Sequence, residues 1–97
     1  MVVRFGDRKL ERLEADAGYS AGFGWDIVKA FRKRMQFIRA AASERDFYAA
    51  KLLHFEKLSG AMAGQHSMRL NDQFRLVLRI EKEPTKVVVI VELVDYH

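Results

Sequence analysis

Three side chains able to hold or move a proton stand in a row at the close of this 97-residue sequence: Asp95, Tyr96 and His97. They follow a β-branched run, Val87 to Val91, that reads as a buried strand. Chain ends are usually frayed and chemically dull. An end carried by a core strand reads instead as an active site built on a strand terminus. A second imidazole, His54, lies in Leu52-Leu53-His54-Phe55-Glu56-Lys57, where alternation predicts another strand. Two imidazoles, each titrating at about pH 6.5 when unperturbed, supply an acid and a base near neutrality. His66 has no evident chemical partner and reads as structural. None of the three histidines has the paired or i,i+4 spacing of a metal motif, so no metal or other cofactor is expected.

Cations come next. Arg75 and Arg79 flank Val77 and share one face of a predicted strand, two guanidiniums aimed in a direction suited to phosphate. Lys57 falls on the opposite face from His54 if the pleat between them is regular, and only a bulge or a strand end would bring them together. Lys29, Arg32, Lys33 and Arg39 make the polar side of a helix, read first as a solvated face and second as a surface for a nucleic-acid backbone. A net charge of +4 favours polyanionic partners, either nucleic acid or an acidic protein segment.

These groups need a scaffold. The length fits a single domain spanning residues 1–97, and 49% hydrophobic residues suffice for a core. The absence of cysteine excludes disulfides and thiolate ligands. The opening MVVRFGDRKLERLE is charged from its fourth residue and lacks the apolar stretch of a signal peptide. No apolar run approaches the ~20 residues of a membrane helix, so a cytoplasmic protein without membrane contact is expected. Val2 to Phe5 read as a strand. Asp7 caps a helix running to about Asp16, and glycines 18, 22 and 24 mark a connection. A long helix from Trp25 or Asp26 to Ala42 sets Ile27, Val28, Phe31, Met35, Ile38 and Ala42 on one apolar side. Ser43 caps a short helix anchored by Phe47 and Tyr48. Strands then follow at Leu53–Leu58, Gln65–Leu70, Phe74–Ile80 and Lys86–Val94, the last taken as central, with a tight turn at residues 71–73. Helices first and an antiparallel meander afterwards predict an α+β domain.

Three ordered motifs carry a resemblance. Phe55-Glu56-Lys57-Leu58-Ser59-Gly60, then Ser67-Met68-Arg69-Leu70-Asn71-Asp72-Gln73-Phe74-Arg75-Leu76, then Val94-Asp95-Tyr96-His97 resemble the HigB branch of the RelE/ParE toxin superfamily. The likeness extends to the opening strand and Asp7-Arg8-Lys9-Leu10-Glu11. It implies a small toxin of a type II toxin–antitoxin pair that cleaves mRNA on the translating ribosome without a metal. It also implies a helix-turn-helix, HigA-like antitoxin through which the pair reaches its own operator DNA. Carried onto this chain, the resemblance implies active residues at His54, Asp95, Tyr96 and His97. It implies RNA- or phosphate-binding cations at Lys57 and Arg75, to which the shared strand face adds Arg79.

Such chemistry uses a ribose 2′-hydroxyl as an internal nucleophile. It needs a base, an acid for the leaving 5′-oxygen and cations for the developing charge. One of His54 and His97 would be the base and the other the acid. Asp95 would orient an imidazole or take the proton itself, and Tyr96 would stack on a base or bond the phosphate. The branch often has basic residues where this chain reads Ala61-Met62-Ala63, and Phe74 stands where Trp is commoner. Two further readings remain open: a ParE-like toxin that poisons gyrase, and a non-catalytic module that docks an antitoxin or DNA as a co-repressor.

Overall fold

A computed structural model describes residues 1–96. Their order is β1 (Val2–Phe5), α1 (Arg8–Ala15), α2 (Trp25–Ala40), α3 (Glu44–Ala49), β2 (Glu56–Lys57), β3 (His66–Arg69), β4 (Phe74–Glu81) and β5 (Val87–Asp95). Single 3-10 turns occupy Lys51–Leu53 and Gly60–Met62. The five strands form one sheet in the order β1-β5-β4-β3-β2. Only β1 and β5 run parallel; every other pair is antiparallel. The α+β expectation holds. The last strand is interior, flanked by β1 and β4, but β4 is the middle one.

The helices begin where short polar side chains can take an unpaired backbone N–H. Asp7 accepts from the Lys9 amide at 2.8 Å, and Ser43 from the Arg45 amide at 3.3 Å. α2 turns Val28, Phe31, Met35 and Ile38 toward the sheet, where they meet Met68, Leu76, Leu78, Val88 and Ile90 in one core. It stops at Ala40, two residues before the predicted end, because Ala41 takes extended angles as its cap, and Ala42, expected on the apolar side, is exposed.

Part of the basic face of α2 is used internally. Arg32 donates to the carbonyls of Leu13, Asp16 and Tyr19, satisfying the end of α1. Arg39 forms a two-pronged bond with Glu14 at 2.8 and 2.7 Å, and this carboxylate raises the Arg39 pKa. Of the four cations grouped as one solvated or nucleic-acid-facing surface, these two therefore join α1 to α2.

The predicted strand Leu53–Leu58 is corrected. Only Glu56 and Lys57 pair with β3, and His54 follows a 3-10 turn in the left-handed region, at φ 46° and ψ 49°. Phe55 wins over alternation: its ring packs edge-on against Phe47 at 5.2 Å and Tyr48 at 4.8 Å, which pulls the segment inward. β5 carries a second irregularity. Val77 pairs with Glu92 but Leu78 pairs with Ile90, so Val91 is an extra residue in β5. No helix among the described residues is long and apolar enough to cross a membrane.

Candidate active site

Cross-strand partners share a face of the sheet, so the register sorts the candidate residues. Arg75 pairs with Val94 and with Arg69, and Ser67 pairs with Val77 and Glu56. All lie on the face away from the core residues Leu76 and Leu78. Arg75, with a side chain only 12% exposed, is the centre of this face. Its Nε donates to Ser67 Oγ at 2.9 Å, and its Nη2 donates to the His54 carbonyl at 2.6 Å. Glu56 Oε1 lies 3.5 Å from the same Nη2. The guanidinium carbon stands 5.5 Å from the centre of the Tyr96 ring, within cation–π range. One arginine thus touches the backbone of residue 54 and the ring of residue 96.

The bulge at Val91 decides which member of the terminal triplet faces Arg75. Up to Ile90, β5 turns Val88 and Ile90 to the core; past the extra residue, Leu93 takes that side. Val94 and Tyr96 therefore share the Arg75 face, while Asp95 pairs with Phe74 on the other. There Asp95 Oδ2 accepts from Gln73 Nε2 at 3.1 Å. The Tyr96 amide donates to the Gln73 carbonyl at 2.6 Å, so the turn at residues 71–73 holds the strand end. Tyr96 is 63% exposed and open to a ligand. His97 lies outside the described residues.

The predicted cations are separated. Lys57 pairs with His66, which pairs with Leu78, so Lys57 starts from the core-side face and not from that of Arg75. The regular pleat holds between Glu56 and Lys57, and no irregularity brings Lys57 round. Arg79 does share the face of Arg75, but four residues of strand put it about 13 Å away. It donates to Glu81 at 3.1 Å, and Glu81 also binds Arg4 at 2.6 Å. These two arginines hold the Glu81 carboxyl below its ordinary pKa, with Arg4 the larger influence.

His66 is structural, as expected. Its ring lies parallel on Phe55, centroids 4.9 Å apart, with Nδ1 buried and unpaired. Burial lowers its pKa, and Lys57 and Lys82 act the same way against the opposing pull of Glu44. Beyond Leu53 a groove of about 440 Å³ is bordered by Lys29, Lys33, Arg34 and Arg69, with Asp26 at its margin. Burial and the nearby Arg69 lower the Arg34 pKa. Among the described residues, no three His, Asp or Glu side chains are grouped to hold a metal ion. Sequence reading passed over Ser67, Glu56 and Gln73 as site residues. Ser67 alone left a trace, a hydroxyl in mid-strand among residues that bury apolar groups.

Comparison with known proteins adds a lineage to this geometry. A family described as RelE-like toxin of type II toxin–antitoxin system HigB matches residues 3–97. Toxin HigB-1 of Vibrio cholerae serotype O1 is 29% identical over 79 residues, 81% of this chain and 83% of that protein. Among solved structures, a YoeB/ParE toxin from Agrobacterium tumefaciens superposes with a TM-score of 0.62 at 16% identity, covering both chains fully. The YoeB–YefM complex from Staphylococcus aureus gives 0.61 at 20% identity, covering 100% of this chain and 97% of that one. The RelBE2 toxin–antitoxin complex from Mycobacterium tuberculosis gives 0.51 at 22%, with coverage of 98% and 96%. At these identities the structural likenesses speak for the fold.

Proposed function

We propose that this chain, which belongs to the HigB-like toxins of type II toxin–antitoxin systems, cuts messenger RNA on the translating ribosome by metal-independent attack of a ribose 2′-hydroxyl on its own phosphodiester. Endoribonuclease activity is the general activity that fits the family. The supporting observation is the double contact of Arg75, which touches the His54 carbonyl at 2.6 Å and stands over the Tyr96 ring. A nucleotide bound against the exposed Tyr96 ring would have its phosphate within reach of that guanidinium.

In this reading one of His54 and His97 removes the 2′-hydroxyl proton and the other protonates the leaving 5′-oxygen. Tyr96 stacks on a base, and Asp95, which faces away from Arg75 beside Gln73, acts from the end of the strand to orient an imidazole. Arg75 offers Nη1, which carries none of the bonds to Ser67 and His54, to the charge that develops on phosphorus. The partner is an antitoxin, in keeping with the toxin–antitoxin complexes among the structural relatives. We take it to be a helix-turn-helix, HigA-like protein that carries the pair to operator DNA. The site of action is the cytoplasm.

The test is purified protein added to translating ribosomes that carry a defined mRNA. The wild type should cut, leaving a 2′,3′-cyclic phosphate and a 5′-hydroxyl. His97→Ala and Asp95→Asn should leave the RNA whole while folding and binding antitoxin normally. Full cleavage by both variants overturns the site assignment. Uncut RNA with wild type, or a change in DNA topology preceding any transcript loss in cells, overturns the nuclease reading.

A further inference from the structure

We propose that Ser67 is a positioning residue that acts through Arg75 to hold His54 in its left-handed conformation, and so sets where the His54 imidazole stands. The inference rests on the reading of His54 as a proton-transfer group. Ser67 is 2% exposed and is the buried polar residue among the described residues, on the sheet face away from the core. It sits mid-strand in β3, paired with Val77, a kind of position that β-branched apolar residues commonly occupy. A hydroxyl held there needs a partner, and its partner is Arg75 Nε at 2.9 Å.

That bond fixes the plane of the guanidinium. With Nε held by Ser67 Oγ, and Nη2 also 3.5 Å from the Ser67 carbonyl, Nη2 is aimed at the His54 carbonyl. His54 needs such a hold. A positive φ is unfavourable for a residue with a Cβ, and it persists only where surrounding contacts enforce it. Here the enforcing contacts are the 3-10 turn before it, the packed Phe55 ring after it, and the Arg75 bond on its carbonyl. Without the hydroxyl, Nε has no acceptor and the guanidinium is free to turn toward Glu56, now 3.5 Å away. His54 would then lose its carbonyl partner and relax.

The test has two arms. In the free protein, the Cα and Cβ chemical shifts of His54 report its backbone conformation. On translating ribosomes, kcat and KM are measured for mRNA cleavage across pH. Ser67→Ala should fold, move the His54 shifts away from the left-handed pattern and lower kcat about ten- to a hundredfold, the cost of a displaced catalytic group. KM should change little, and Ser67→Thr, which keeps the hydroxyl, should restore both readouts. Unmoved His54 shifts in folded Ser67→Ala overturn the proposal, as does a loss confined to KM or to melting temperature. Should Ser67→Ala fail to fold, Arg75→Lys keeps the charge without the fork, and unmoved His54 shifts in that variant overturn the proposal equally. Moved shifts with RNA left whole by the wild type would leave the tether standing and remove the nuclease reading instead.

Discussion

The guanidinium of Arg75 donates a 2.6 Å hydrogen bond to the carbonyl of His54, a residue that lies 21 positions earlier and outside any strand. The bond joins a strained turn to the middle strand of the sheet. A group whose backbone is held from outside can keep its side chain in a fixed attitude, which acid–base chemistry requires. It also makes residue 54 a place where stability and activity pull apart.

His54→Gly should therefore unfold at higher denaturant than His54→Ala, by about 1 kcal/mol, because glycine adopts a positive φ without a Cβ penalty. Both variants should be inactive in mRNA cleavage. Urea midpoints measured side by side check the first part. Equal midpoints would show that φ 46° is not a strained value here.

Arg75 and Arg79 share a face but not an environment. Arg75→Ala should lower cleavage at least tenfold, a loss of about 1.4 kcal/mol of transition-state stabilisation. Arg79→Ala should stay within about twofold of wild type, since Arg79 is paired with Glu81 far along β4. Single-turnover cleavage separates them. Equal losses would restore the expectation that both arginines hold phosphate.

His66 should make stability pH-dependent. Its pKa is lowered in the folded protein, chiefly by burial, so the unfolded chain binds more protons as pH falls. Its contribution is full above the unfolded value of about 6.5 and is lost as pH drops through the lowered folded value. His66→Phe removes the titration and keeps an aromatic ring against Phe55. Urea midpoints followed from pH 8 to pH 5 should fall less steeply in the variant, and parallel curves would assign the slope elsewhere.

Phe47 is fully buried and meets both Phe37 and Phe55. Phe47→Ala should cost about 3–5 kcal/mol, a large part of the stability of a domain this size. Because Phe55 directly follows His54, amide exchange at residues 54–57 should quicken beyond the global effect. A loss under about 1 kcal/mol in thermal or urea unfolding would mean that the site collapses around the cavity.

Local chemistry made most of the fold legible. The caps at Asp7 and Ser43, the 3.6-residue stripe of α2 and the apolar run of β5 each follow from neighbours in sequence, and each stands where it was expected. The type of protein was legible too, because three motifs at fixed separations identify a toxin family whatever the coordinates. The arrangement of the candidate site was not. Alternation counted forward from Leu53 makes His54 a strand residue, whereas the packing of Phe55 against Phe47 bends it into a left-handed turn. The same counting along β5 would put Asp95, and not Tyr96, on the Arg75 face. One extra residue, Val91, reverses that, and a bulge is decided by how two strands pair and not by the residues of either alone. Sequence fixed which groups are available for chemistry, since composition is local. Which of them share a face depends on contacts between residues far apart in the chain, and only the folded structure brings those together.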